Sequence, residues 1–282
     1  MSNVRVGGWG PESKPAALSV TLDNFGEAAE ISFGLLPDNH STGRHETATT
    51  ILPRLLPALG DLKVTYFIEG INAELYPREL TAISAAGHEI GLHAWQHEAW
   101  NRLSLAHQEK LLRMSLRAMN EIGLLPAGFR PPGGEISADA LTLLRRLGFD
   151  FCSPLGTPGS RIEGDLAILP FQWRHVDAYL MDPVLNAYRS GNAASPVPLA
   201  AQEWSAILDH AIEEAVEHRR HLTVIFHPYL IGRNNDQWGV FERFLQRIRS
   251  RNDLWIANCA QVAGWIRKCA IDETQISAEQ AH

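Results

Sequence analysis

Apolar residues along the chain fall into two alternating patterns. Short runs rich in β-branched and aromatic residues occur at Ala17–Thr21, Leu62–Glu69, His88–Leu92, Ala127–Arg130, Phe149–Ser153, Ala167–Phe171, Thr223–His227 and Leu254–Ala257. Most are nearly continuously apolar rather than alternating, as parallel strands covered on both faces are. Between them lie stretches of helical periodicity. Ser104–Ile122 is the clearest, with Ser104 as N-cap, Leu111, Leu112, Ser115, Leu116, Met119 and Ile122 on or near one face, and Gly123 as a stop signal. Ser137–Leu147, Gln202–Arg219, Trp238–Ser250 and Gln261–Lys268 read the same way, and His45–Leu59 does so with a kink or late start imposed by Pro53 and Pro57. Strand–helix alternation implies parallel pairing with right-handed crossovers. Seven or eight such units in 282 residues favour a barrel over an open sheet.

The polar loop Asp38–Arg44 and the Ala/Pro/Ser/Gly-rich segment Asn186–Pro198 interrupt this rhythm. The second is expected to be a solvated connection or a lid. Residues 1–16 are expected to form an N-terminal extension, 17–270 a single barrel domain, and 271–282 a frayed polar tail.

Composition narrows the function classes. There are 25 Lys plus Arg against 32 Asp plus Glu, a formal charge of −7, and no basic stripe is visible, so nucleic acid is not an expected partner. No run approaches the roughly 18 consecutive apolar residues of a membrane span. Met1–Pro15 lacks the apolar stretch of a secretory signal. Cys152, Cys259 and Cys269 are odd in number and widely spaced, which speaks against a disulfide framework. Together these features predict a cytoplasmic protein without a membrane role. They leave homo-oligomerisation open.

Chemistry-bearing residues cluster where the predicted strands end, the place parallel α/β folds keep their sites. Asp23 and Asn24 follow the first strand, and His93 and His97 follow the third. Arg130-Pro131-Pro132-Gly133 comes next, followed by Asp177 after the Ala167–Phe171 run and His227-Pro228 after the seventh strand. Two His four apart suit a divalent metal if they share one face of a helix or its first turn. The spacing alone is weak in a chain with 12 His. Asp23 at the end of an apolar strand needs a cation nearby, and Arg130 is one candidate. A plain turn at Asp23-Asn24 leading to Gly26, a rigid Pro-Pro-Gly loop and a boundary histidine at 227 are the bland alternatives.

As an ordered set, Asp, HxxxH, Arg-Pro-Pro-Gly and a late His resemble the polysaccharide deacetylase family, with its NodB-homology domain (carbohydrate esterase family 4), over roughly Leu18 to Trp265. The resemblance implies a distorted (β/α) barrel of about seven parallel strands and hydrolysis of non-peptide carbon–nitrogen bonds. By the same resemblance Asp23 is the catalytic base, Arg130 orients it and His227 is the general acid. Asp177 orients His227, though that match is looser. His93, His97 and the residue at 24 would hold a divalent metal, zinc being expected. The family's metal-binding Asp is Asn24 here. This leaves three readings: a more weakly held metal, Asp23 as ligand in its place with another group as base, or an inactive carbohydrate-binding barrel. In the last, Trp95, Trp100, Trp173 and Trp238 could form a sugar platform. Trp95, Pro132, Gly133 and Tyr229 are the expected substrate contacts. The stretch His227-Pro228-Tyr229-Leu230-Ile231-Gly232-Arg233 is similar to the metal-independent allantoinase and cyclic imidase branch. A small amide, ureide or N-acetyl sugar is therefore favoured as substrate, with metal-free ring opening as the alternative.

Overall fold

The computed structural model describes residues 6–37, 39–191 and 197–279. Nine strands form one curled sheet: β1 (Ala16–Asp23), β2 (Thr65–Ile68), β3 (Glu89–Leu92), β4 (Gly128–Phe129), β5 (Phe151–Cys152), β6 (Arg161–Glu163), β7 (Leu166–Ile168), β8 (His221–Phe226) and β9 (Leu254–Ile256). Their order is β6-β7-β5-β4-β3-β2-β1-β8, with β9 also paired to β1. From β7 to β8 this path is parallel throughout, the expected seven-stranded arrangement; only β6 is antiparallel, to β7. The sequence reading had not included β6, whose three residues are only half-buried.

β1 is fully buried along its length. Its period-2 alternation sends Leu18, Val20 and Leu22 to the large core shared with the helices and places Ser19, Thr21 and Asp23 on the opposite face. One edge of β1 pairs with β8 from Ala17 to Leu22. The other pairs with β9 near its start and β2 near its end. Beyond β7 the chain itself reaches round to β8, through a parallel bridge between Val176 and Ile225.

The N-terminal end of the sheet is covered by the helix Cys259–Glu279. Its first amides donate to Thr65 Oγ1 and Glu89 Oε2, and its Val262, Ala263 and Ile266 join a cluster with Ala17, Phe67, Phe151 and Ala167. This helix runs through residues 271–279, where a frayed tail was expected. Asn186–Gly191 is also helical rather than loop, while residues 192–196 of the same expected loop lie outside the described residues. Ser104 and Ser137 cap their helices through side-chain bonds to the amides of His107 and Ala140, as their positions predicted. In His45–Leu59 a π-helical turn, Thr47–Ile51, precedes an α-helix, Leu52–Leu59, which holds Pro53 in its first turn and Pro57 in its interior. Among the described residues no helix is long and apolar enough to cross a membrane.

Candidate active site

With its N-terminal end covered, the sheet presents its chemistry at the opposite rim. Asp23 is the last residue of β1, and His93, Arg130 and His227 each follow the last residue of β3, β4 and β8. Asp23, Asn24, His93, His97, Arg130, His227 and Tyr229 line a single cavity of about 170 Å³.

Arg130 is 1% exposed. Its Nη1 donates to Asp23 Oδ1 at 2.5 Å and to Thr21 Oγ1 at 2.9 Å, and its Nη2 donates to Ser153 Oγ at 2.9 Å. Thr21 and Asp23 share a face of β1, so one guanidinium nitrogen reaches both. The guanidinium carbon sits 4.0 Å from the centre of the Phe67 ring. A buried carboxylate is costly unless paired, and the pairing that the strand-end position of Asp23 called for is made by Arg130.

The chain turns sharply after Asp23. Asn24 adopts a left-handed φ of 66°, which Asn tolerates better than most residues. A Cβ on Gly26 would meet Asn72 Oδ1 at 2.6 Å, so only glycine fits there. Asn24 is buried, and its Oδ1 is an acceptor without a hydrogen-bond partner among the described residues. Behind this turn Glu69 is fully buried and accepts from the Phe25 amide and Asn72 Nδ2. Burial pushes its carboxyl up from 4.5 to about 8, with Asp23 and Glu98 adding to the rise.

His93 and His97 lie in a non-helical turn in which Ala94 and His97 have φ of 64° and 62°, a correction to the helical placement expected from their spacing. Strained residues of this kind persist where the surroundings hold them. The rings still meet, with centroids 5.1 Å apart. His93 Nδ1 bonds the Arg130 carbonyl at 2.8 Å, so it carries the proton and leaves Nε2 as an acceptor. For His97, Ser32 decides the tautomer. The single hydroxyl proton of Ser32 goes to the Ala29 carbonyl at 2.8 Å, so Ser32 Oγ accepts from His97 Nδ1 at 2.8 Å. Burial lowers both imidazoles, His93 to about 3, and keeps them neutral.

On the β8 side, Asp177 is wholly buried and accepts two bonds from His227, from Nδ1 at 2.5 Å and from the backbone amide at 2.8 Å. Burial pulls the His227 imidazole down, but the charge and hydrogen bond of Asp177, with Asp23 beyond, outweigh it and raise its pKa above 6.5.

The expected substrate contacts divide. Tyr229 and Gly133 line the cavity, and Gly133 also lines a wider outer groove of about 920 Å³, to which Pro132 belongs. Trp95 lines neither and packs against the core. Trp100 and Trp238 are also core residues, and only Trp173 of the four tryptophans faces the cavity. Sequence reasoning gave no role to Ser32, Ser153 or Phe67. Ser153 alone left a trace, as a polar residue closing a predicted strand.

Known proteins resemble this chain in sequence and in fold. The polysaccharide deacetylase family model matches residues 38–152. A peptidoglycan deacetylase-like protein of Gibberella zeae is 39% identical over 88 residues, which is 31% of this chain and 26% of that protein. A peptidoglycan deacetylase of Helicobacter pylori is 30% identical over 118 residues, 41% of this chain and 40% of its own. The chain thus spans well under half the length of these curated relatives. Among solved structures, a Mycobacterium smegmatis protein described as a polysaccharide deacetylase superposes with a TM-score of 0.80 at 23% identity, covering 95% of this chain and 94% of its own. An allantoinase superposes with a TM-score of 0.73 at 19% identity, covering 93% of each chain. In sequence over residues 38–152, and in fold over nearly its whole length, the chain resembles the polysaccharide deacetylase family.

Proposed function

We propose that the chain hydrolyses a non-peptide carbon–nitrogen bond, an amide of a compact substrate. The observation that carries this reading is the convergence of two buried acid–base pairs, Asp23–Arg130 and Asp177–His227, on one cavity. Arg130 engages Oδ1 of Asp23, so Oδ2 takes a proton from the attacking water as the new carbon–oxygen bond forms. His227 gives its Nδ1 proton to the bond with Asp177, so Nε2 faces the leaving nitrogen and donates to it as the carbon–nitrogen bond breaks. Without that proton the nitrogen would depart as a poor amide anion. The products are a carboxylic acid and an amine.

A divalent metal, zinc by expectation, fits the donor types present. Among the described residues no group of three or more His, Cys, Asp or Glu side chains could hold one, so the donors would be Nε2 of His93, Nε2 of His97 and the unpartnered Oδ1 of Asn24. When bound it would supply Lewis acidity to the substrate carbonyl and to water. All three donors are neutral, and the Asp23 carboxylate is already balanced by Arg130, so the affinity is expected to be low. That neutral set favours a second reading, ring opening of a ureide or imide without a metal. Activity that survives exhaustive chelation selects it.

The hydrolase reading is tested with N-acetyl sugars, simple amides, ureides and cyclic imides, using the chain with and without added Zn²⁺. Asp23→Asn and His227→Ala should each lower turnover by ~10²–10⁴, the usual worth of an acid–base group, with far-UV circular dichroism unchanged. Binding without turnover of any compound would leave the barrel as a binding module.

A further inference from the structure

Away from its acid–base groups, Asn24 and the His93–His97 pair, the cavity wall is largely apolar. Its remaining wall includes Phe33, Phe171, Trp173, Val176, Leu185 and Ile225. Ile225 lies two residues before His227, on the same face of the strand and its continuation, so hydrocarbon lies next to the acid imidazole. Of the polar groups that could greet sugar hydroxyls, Arg130 and Tyr229 are committed elsewhere, which leaves Asn24 Oδ1 and the Nε2 atoms of His93 and His97 beside the acid–base groups. The guanidinium of Arg130 is shared among Asp23, Thr21 and Ser153, and the Tyr229 hydroxyl donates to Asp182 Oδ2 at 3.3 Å.

This wall is held from behind. Arg189 is 1% exposed, and its Nη1 donates to the carbonyls of Tyr179 at 2.5 Å and Asp182 at 2.9 Å while its Nη2 reaches Asn186 Oδ1. Asp182 also accepts from the Val184 amide at 3.1 Å, which fixes the turn carrying Leu185. Trp173 stacks on Tyr179 with centroids 4.9 Å apart. The outer groove has the opposite character, with Gln96, Glu98, Asn101, Arg102 and Glu135 along it, and it meets the cavity at Phe33, His97, Gly133 and Tyr188.

We propose that this cavity is a built subsite for a compact apolar group, up to the size of one phenyl ring, attached directly to the scissile amide, with the polar remainder of the substrate lying in the outer groove. An apolar cavity of ~150 Å³ suffices to hold benzene; this whole cavity, its acid–base end included, measures about 170 Å³ and continues into the outer groove, so one ring is the upper limit. The inference rests on the hydrolase reading for the identity of the bond, but the apolar preference is a binding property that can be measured without turnover. Trp173, Val176, Ala178 and Leu185 are then specificity-determining, and Arg189 and Asp182 are positioning residues.

The test is calorimetric binding of four uncharged probes to the full chain: acetamide, N-acetylglucosamine, benzamide and acetanilide, each also assayed for hydrolysis. Benzamide or acetanilide should bind at least tenfold more tightly than both acetamide and N-acetylglucosamine. A lead for benzamide places the ring on the acyl side, and a lead for acetanilide places it on the amine side. Leu185→Trp, which fills the cavity, should abolish the preference; the comparison on the unsubstituted chain stands even if that variant folds poorly. Equal or weaker binding of both aryl amides overturns the subsite. Aryl preference with no hydrolysis of these amides or of the ureides and cyclic imides above overturns the hydrolase reading and keeps the subsite. Hydrolysis of N-acetylglucosamine without aryl preference does the reverse.

Discussion

Replacing Arg130 by Met keeps the aliphatic stem over Phe67 but removes the only cation bonded to Asp23 among the described residues. Asp23 is 4% exposed and Arg130 1%, so water cannot take over the pairing without opening the rim. Removing one partner of a buried ion pair costs about 3–5 kcal/mol, because the other charge is left uncompensated. Loss of the bonds to Ser153 adds on the order of 1 kcal/mol, while Thr21 keeps its bond to the Val224 carbonyl. Urea unfolding at neutral pH should therefore show Arg130→Met less stable by about 3–6 kcal/mol, with an unchanged denaturant slope. The second half of a double-mutant cycle separates charge from packing. Adding Asp23→Asn removes the stranded charge, so the double variant should be more stable than Arg130→Met alone by at least ~2 kcal/mol. A cost below ~1 kcal/mol for the single variant, the range of exposed pairs, would refute the argument, as would a double variant no more stable than the single one.

Other tests follow from the same site. The pKa of His227 is raised by Asp177, so its protonated form persists above pH 6.5 and activity that needs it falls as pH climbs through the raised value; Asp177→Asn should move that alkaline limb down in a pH–rate profile. Asn24→Asp adds a negative charge to a neutral donor set, and calorimetry should show tighter Zn²⁺ binding, with no change if the metal is held elsewhere. Glu69 has a folded pKa of about 8 against an ordinary 4.5, so its contribution is full below pH 4.5, falls as pH rises between the two values and is lost by about pH 8. Glu69→Gln should therefore flatten the fall in melting temperature between about pH 5 and pH 8, and an unaltered pH–stability curve would exclude Glu69 as the group responsible.

Each of the eight expected strands is present, because continuous apolar runs bounded by polar residues are a strong local signal. Boundaries moved where a polar residue ended a run: Glu69, Arg130, Ser153 and His227 were read into strands that stop just before them. Those residues lie at the rim, where the ladder has ended and their side chains bond other groups: Arg130 to Ser153, Glu69 to Asn72 and His227 to Asp177. The helical placement of His93 and His97 failed for a different reason. Spacing reports separation along the chain, whereas the left-handed backbone at Ala94 and His97 is imposed by contacts with distant segments. Ser32 escaped notice for the same reason, since its partner lies 65 positions away. Trp95 illustrates the limit of reading residue type alone, for an aromatic beside a site motif turned out to face the core.

The wall bearing Asp177 meets β8 through the bridge between Val176 and Ile225, and next to it the Asp177 carboxylate grips both the ring and the main chain of residue 227. One side chain thus serves as proton-holder and as rivet across this seam. Slackening it would loosen the sheet on that flank while the Asp23 flank, carried by the longest ladder in the sheet, stayed paired. On the proposed hydrolysis, substitutions would therefore alter what departs from the site far more cheaply than what attacks.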